Sequence, residues 1–248
     1  MSGHSKWATI KHKKAALDSK RGKIFTRLIK EIVIAARNGG DPDSNARLRT
    51  AIVAAKSVSM PAENIKRAVM RGSGELGGEQ MEEITYEGYG PGGAAIVVEV
   101  ATDNRNRTVS DIRHAFSKNG GNMGEQGSVA WMFDRKGQIY LDAARHDEDG
   151  ALEAALESGA EDFLREGDQY IVTTTPSQLH AVQDALRSRG FTIDSAELAM
   201  VPRNTVRVEG ADAERIVRLM DVLEELDDVS KVFSNFDIDA AQLAEAEA

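Results

Sequence analysis

The chain has 248 residues, of which 41% are hydrophobic and 29% charged, so it is long enough to bury one large core or two to three smaller ones. It has no cysteine, which excludes disulfides, a thiolate nucleophile and cysteine-based metal sites. An apolar run such as AAIVV is far shorter than the roughly 20 residues of a membrane span, so we expect no membrane association.

The charge is divided unevenly along the chain. Residues 1–72 hold 16 lysines and arginines against 5 acids, a net charge of +11, whereas residues 73–248 carry a net charge of −20. Such an asymmetry predicts a polyanion-binding module joined to an acidic body. The alternative is a set of solvated surface lysines, but an excess of eleven positive charges within 72 residues favours binding.

Three amphipathic helices are predicted in the basic module. Residues 20–38 carry apolar residues with the 3.6-residue period and end at the stop signal NGG. A second helix is expected after DPD, with an acid near its N-terminus and the proline in its first turn, and a third after SMP. Helices with such short connections suggest a small bundle, followed by a flexible glycine-rich linker at residues 72–80. The cations opposite the apolar face of the first helix are Lys20, Lys23, Arg27, Lys30 and Arg37.

After the linker, strands and helices alternate. EITYEGY and residues 94–101 are expected to be strands joined by the turn GPGG, followed by a helix over 107–118 and a strand at GSVAWMF. Near the C-terminus, TVRVEG, a helix over 212–226 and SKVFSNFDI give a similar strand–helix–strand order. The stretch between these halves has the order βαββαβ, which is typical of the split βαβ or ferredoxin-like unit.

These elements predict an α+β fold. An N-terminal three-helix basic domain precedes two ferredoxin-like α/β domains, one of which is inserted into the other. The expected boundaries are 1–76 for the helical domain, 80–136 with 203–238 for the discontinuous domain, and 137–202 for the inserted one. A single continuous α+β domain is the competing organisation.

No local motif indicates catalysis or a cofactor. GYGPGG matches the glycine spacing of a dinucleotide site, but a strand follows where that site needs a helix, and Pro91 lacks a backbone N–H. None of the five histidines has a metal-binding spacing, and no serine lies in a nucleophile elbow. We therefore expect a non-enzymatic protein with no cofactor and no metal. An enzyme with a site between the acidic domains is the less favoured alternative.

Two stretches are candidates for contact with nucleic acid. SGHSKWATIKHKKAALDSKRGK opens the chain with cations around Trp7, whose ring either stacks on an exposed base or closes the core of the bundle. The second stretch, ATDNRNRTVSD, joins a strand to a helix, whose free N–H groups make a natural anion site. Its alternative is structural, with Asn106 or Thr108 capping the helix while Arg105 pairs with Asp103. The predicted nucleic-acid-binding residues are Lys6, Trp7, Lys11, His12, Lys13, Lys14, Lys20, Arg21, Lys23, Arg27, Lys30, Arg105 and Arg107.

The segments GHSKWATIKHKKAALDSKRGKIFTRLIKEI, ARNGGDPDSNARLR, MPAENIKRA, TDNRNRTVSDIRHAF and GSVAWMF resemble the YebC/PmpR family, and the resemblance covers essentially the full chain. It implies a helical N-terminal domain followed by two α/β domains. It also implies a cytoplasmic, DNA-binding transcriptional regulator. Mitochondrial relatives are translational activators of cytochrome c oxidase and bacterial members have been linked to the ribosome, so DNA and ribosomal RNA are both candidate partners. The residues themselves favour contact with the phosphate backbone, because most of the cations are lysines and no base-reading helix-turn-helix is seen.

Overall fold

The computed structural model describes residues 21–77 and 81–239, and it confirms an α+β fold that begins with a helical region. The helices of this region are α1 (Arg21–Ala36), α2 (Ala46–Ser57) and α3 (Ala62–Gly72). The later elements are β1 (Glu82–Tyr89), β2 (Ala95–Thr102), α4 (Arg105–Lys118), β3 (Asn122–Met123), β4 (Phe133–Asp142), α5 (Glu148–Glu157), β5 (Asp162–Glu166), β6 (Gln169–Thr174), α6 (Leu179–Ser188), β7 (Ile193–Pro202), β8 (Val206–Arg207), α7 (Ala211–Glu225), β9 (Val229–Ser234) and β10 (Phe236–Asp237).

The three helices pack their apolar faces together as the periodicity predicts. A Cβ on Gly72 would lie 2.2 Å from the carbonyl oxygen of Val33, so glycine permits the close approach of α1 and α3. The start of α2 differs from the expectation of an acid and a proline in its first turn. Asn45 caps this helix by accepting the N–H of Leu48 at 3.0 Å, and its side-chain amide also donates to the carbonyl of Ala35 at 2.7 Å. One side chain therefore closes the end of α1 and the start of α2.

The outer sheet is antiparallel and has the order β3-β1-β2-β9. Helices α4 and α7 cover one of its faces, where Ile96 and Val98 of the sheet pack against Ile112 and Leu219 of the helices. The short strands β8 and β10 form a separate parallel pair. The hairpin β1-β2 lies in the centre, where β9 pairs with β2 and the short β3 pairs with Gly88 and Tyr89 at the end of β1.

The inserted sheet is also antiparallel, with the order β5-β6-β4-β7. Its third strand in the chain lies between the first and the second, which is the arrangement of the split βαβ unit. The outer sheet has a different strand order, whereas the sequence led us to expect one order in both halves. Strand β4 already begins at Phe133, before the boundary expected at 137. The division into three domains stays a prediction.

The segment GSVAWMF does not form the predicted strand. Residues 127–133 make a loop and a short 3-10 helix, Ala130–Met132, and only then enter β4. The cause is Glu87 on β1, whose carboxylate accepts the N–H groups of Gly127, Val129 and Ala130, each at 2.7 Å. Those donors are therefore not available to a sheet ladder.

The segment GYGPGG forms the tight turn between β1 and β2, in agreement with the rejection of a dinucleotide site. A 3-10 turn, Pro91–Gly93, stands where that site would need the start of a longer helix. A Cβ on Gly90 would lie 2.4 Å from the Cδ1 of Ile216, so this glycine lets α7 approach the turn. The spacing of the glycines thus serves packing.

Both flanking parts pack on the outer sheet. Met81 and Ala101 belong to the apolar core of the helical region, so that core continues onto the sheet. The inserted sheet contacts the opposite end through a second cluster, in which Phe133 and Ala199 meet Phe233. None of the helices within the described ranges is sufficiently long and apolar to cross a membrane.

Candidate nucleic-acid interface

The structure describes five of the predicted contact residues with their side chains. Those residues are Lys23, Arg27, Lys30, Arg105 and Arg107. Arg21 begins α1, and only its backbone is described. The predicted residues that lie outside the described part of the chain are Lys6, Trp7, Lys11, His12, Lys13, Lys14 and Lys20.

The cation stripe of α1 lies against the end of α7. Arg27 donates from Nη2 to the carbonyl oxygen of Glu224, and the Nζ of Lys23 lies 3.6 Å from the carboxylate of Glu225. Lys30 donates from Nζ to the carbonyl oxygen of Asp227 at 2.7 Å. Acids at a helix C-terminus oppose the helix dipole, so cations brought by α1 compensate for charges that the helix itself disfavours. These three residues join the helical region to the outer sheet.

Asp228 is the centre of this interface. Its carboxylate accepts hydrogen bonds from Lys30 Nζ at 2.7 Å, from Arg107 Nη2 at 2.8 Å and from Thr108 Oγ1 at 2.7 Å. The residue is only 8% exposed, and a buried charge needs such partners. Burial by itself would raise the pKa of Asp228, but the hydrogen bonds from Lys30, Thr108 and Arg107 outweigh it and lower the pKa to about 2. One carboxylate therefore holds α1, α4 and the turn before β9 together.

In the stretch TDNRNRT at the start of α4, the residue that caps the helix is neither of the two predicted ones, Asn106 and Thr108. Asn104 caps the helix by accepting the N–H of Arg107 at 3.1 Å. Arg107, rather than Arg105, pairs with Asp103, at 3.2 Å, in addition to Asp228. The prediction that Asn106 or Thr108 caps and that Arg105 pairs with Asp103 is wrong, because Thr108 instead donates to Asp228. These contacts give Arg107 a structural role.

Arg105 has a different environment from Arg107. Arg105 is exposed and occupies the first position of α4. Burial raises the pKa of the Tyr86 hydroxyl, and the positive charge of Arg105 opposes that shift. Arg105 therefore interacts with Tyr86 and, unlike Arg107, forms no ion pair with another described residue.

Further cations of the helical region also bind the acidic body. Arg47 bridges Glu31 and Glu83, with Nε 2.8 Å from the first carboxylate and Nη2 2.6 Å from the second. The hydrogen bonds to Glu83 and Glu31 raise the pKa of Arg47. Arg37 donates to the carbonyl oxygen of Met81 at 2.8 Å. Part of the charge asymmetry in the sequence therefore serves docking between two parts of one chain.

Three other cations of the helical region face outward. Lys56 on α2 and Lys66 and Arg67 on α3 are exposed, and none forms an ion pair with another described residue. They are not among the predicted contact residues, because no sequence signal distinguishes them from other surface cations. With the α1 stripe engaged, these three residues are the cations of α2 and α3 that we consider for contact with a partner.

A groove runs between α4 and α7 beside Asp228. Cavities of about 220 Å³ and about 480 Å³ adjoin each other there, sharing Asp111 and Leu226 in their walls. Cations such as Lys118 and Arg218 line the first, and acids including Asp227 line the second. Within residues 21–77 and 81–239, no cluster of side chains suits a metal ion.

Comparison with known proteins gives matches along nearly the whole chain. Family models described as "TACO1/YebC protein N-terminal domain" and "TACO1/YebC second and third domain" match residues 5–75 and 81–236. A "Probable transcriptional regulatory protein" from Solibacter usitatus (strain Ellin6076) is 61% identical over 243 residues, covering 98% of both chains. One of the same name from Pelotomaculum thermopropionicum is 57% identical, over 96% of this chain and all of the other. The crystal structure of a conserved hypothetical protein from Aquifex aeolicus has a TM-score of 0.87 at 48% identity, covering 94% of this chain and 97% of that one.

Proposed function

Since the chain belongs to the TACO1/YebC family, we propose that it is a non-enzymatic, cytoplasmic regulator of gene expression that binds nucleic acid, with DNA-bound control of transcription as its leading form. The names of its relatives support a regulatory role. Family membership alone does not identify the binding site, which has to be argued from residues.

The proposal is carried by two sets of cations, the lysines in the sequence of residues 1–20 and the exposed cations of α2 and α3 that form no ion pair with another described residue. Residues 1–20 contain five lysines and one acid, Asp18. Lys56, Lys66 and Arg67 add exposed charge on α2 and α3. The acidic body, with its net charge of −20, repels a polyanion, so we propose that most contacts to phosphate are made at the helical end of the molecule.

The high share of lysine among these cations also indicates how they contact nucleic acid. Lysine presents a point charge that suits phosphate, whereas bidentate reading of a base edge is mostly the work of arginine, asparagine and glutamine. We therefore propose binding that is dominated by the backbone of the nucleic acid, with a strong dependence on salt.

Salt dependence of binding tests this proposal in the full chain. Each neutralised phosphate contributes about −0.9 to the slope of log K against log salt on duplex DNA and about −0.7 on single strands. Replacing Lys11, Lys13 and Lys14 together by alanine should flatten the slope by about two to three units. The matched control replaces three exposed cations of the acidic body by alanine, namely Arg113, Lys118 and Arg187. The salt slope of this control should equal that of the wild type. A slope unchanged by the lysine substitutions would contradict the proposal.

A translation factor docked on ribosomal RNA is the second candidate. The observation that favours it is the use of α1 inside the protein, because its cations contact α7 instead of forming a free recognition helix. Co-sedimentation with ribosomes at low salt separates the two candidates. A translation factor should lose ribosome association on Arg105→Ala and change little on short duplex DNA. Wild-type protein that stays in the supernatant would rule this candidate out.

A further inference from the structure

Two aromatic side chains stand exposed where the outer sheet meets the inserted sheet. Trp131, in the 3-10 helix before β4, is 64% exposed, and Tyr89, at the end of β1, is 37% exposed. Both donate to one acceptor, the carbonyl oxygen of Ser128, from the Tyr89 hydroxyl at 3.0 Å and from the Trp131 Nε1 at 3.1 Å. The polar atoms of both rings are therefore used within the protein, and the exposed parts of the two side chains remain for a ligand.

The loop that carries Trp131 is fixed by a buried charge. Glu87 is 4% exposed, and its carboxylate holds the N–H groups of Gly127, Val129 and Ala130. Burial would raise the pKa of Glu87, but these three hydrogen bonds together lower it, so the carboxylate stays ionised. Val129 is fully buried between the two sheets. The backbone that carries Trp131, two residues further on, is thus held in place before any ligand arrives, which reduces the entropic cost of binding.

We propose that Tyr89 and Trp131 form a stacking platform for an unpaired nucleobase, so that the nucleic acid bound by this chain includes a single-stranded segment. The inference rests on the proposed nucleic-acid binding and specifies its substrate class. A base offers a flat π face and stacks on an aromatic ring without needing hydrogen bonds from it. Bases inside a duplex are already stacked on each other, so the base on this platform has to be unpaired.

Two arginines lie near residues that neighbour the platform. The backbone N–H of Arg203 donates to the carbonyl of Met132 at 2.9 Å, next to Trp131, and its exposed side chain pairs with the exposed Asp134. A Cβ on Gly120 would lie 3.8 Å from the Cδ of Arg215, and a Cβ on the next residue, Gly121, would lie 2.8 Å from the carbonyl oxygen of Tyr89. Exposed ion pairs of this kind are weak, so phosphates of a bound strand can replace the acid. Aromatic rings between cations are the combination that binds single strands in proteins without sequence preference.

Fluorescence of Trp131 tests the platform directly. The chain has two tryptophans, so Trp7→Phe leaves Trp131 as the only indole and keeps an aromatic ring at position 7. We expect a single-stranded oligonucleotide to quench this emission, and an abasic sugar-phosphate strand of equal length to bind through the cations without quenching. Trp131→Ala should weaken binding of the base-containing strand about 5- to 100-fold, while Trp131→Phe retains most of the affinity.

The controls separate failure of the inference from failure of the proposed function. Val53→Ala removes another exposed apolar side chain and should leave both affinities unchanged. Absence of binding to both strands and to a duplex of equal length would overturn the proposed function itself, whereas binding to the duplex alone would overturn the platform. Equal binding of both strands with unchanged Trp131 emission would overturn the platform and leave the function standing. Equal loss of both affinities in Trp131→Ala, or emission that responds only to a protein partner, would also overturn it.

Discussion

Replacing Asp228 by asparagine removes the negative charge on which Lys30, Arg107 and Thr108 converge, while keeping the shape of the side chain. The pKa of Asp228 is lowered from 3.8 to about 2. At about 1.4 kcal/mol per pKa unit, ionisation of this one group contributes on the order of 2 kcal/mol to the free energy of unfolding at neutral pH. For a chain of this size the loss corresponds to a fall in melting temperature of roughly 4–8 °C.

The pH dependence of the free energy of unfolding measures the contribution of Asp228 in a second way. Because the folded-state pKa is depressed, the contribution is fully present above the unfolded pKa, near 4, and is lost as pH falls through about 2. The stability difference between wild type and Asp228→Asn should therefore be constant from pH 7 to about 5 and shrink to about half by roughly pH 3. Taking the difference cancels the titration of carboxylates that both proteins share.

Urea denaturation followed by circular dichroism at each pH measures this difference. Asp227→Asn is the matched control, since it removes one neighbouring charge but leaves in place the backbone carbonyl that Lys30 uses. We expect the control to stay within about 0.5 kcal/mol of wild type, as surface substitutions usually do. Equal stability of Asp228→Asn and wild type at pH 7, or a difference that does not shrink at low pH, would refute the reasoning.

Two further substitutions follow from the same contacts. Arg107→Ala should lower the free energy of unfolding by about 1 kcal/mol, because this half-exposed side chain bonds to Asp228, whereas Arg105→Ala should leave the melting temperature almost unchanged; equal effects in a melting experiment would contradict the assignment. Glu87→Gln should cost about 1–3 kcal/mol by weakening the hold on Gly127, Val129 and Ala130, and should shift the emission of Trp131 in the Trp7→Phe background. An unchanged spectrum with unchanged stability would show that this carboxylate does not order the loop.

The sequence predicts elements well wherever local pattern decides them. The first helix was expected over 20–38 and occurs as Arg21–Ala36, because its apolar stripe and the NGG stop are both local signals. The order βαββαβ of the inserted sheet follows in the same way. GSVAWMF has the apolar and aromatic residues of a strand, but Glu87, forty residues earlier, takes its backbone donors.

Prediction of the interface fails for a related reason. Helical periodicity shows that Lys23, Arg27 and Lys30 share a face, but it cannot show what lies opposite that face. Their partners are almost 200 residues away in the sequence. A run of acids, EELDD, at the end of α7 is the one signal that points to them, because acids are unfavourable at the negative end of a helix dipole.

The central position of the hairpin β1-β2 has a consequence for the order in which the molecule is made. Strand β2 leaves the ribosome before residues 103–228, yet its second neighbour is β9, which begins at Val229. At about 5–20 residues per second, β2 waits for roughly 6–25 s with one edge unpaired. The inserted sheet needs only residues 133–202 and completes itself during this interval. Asp228 also emerges at the end of the wait, so its hydrogen bond with Lys30 of α1 forms only then.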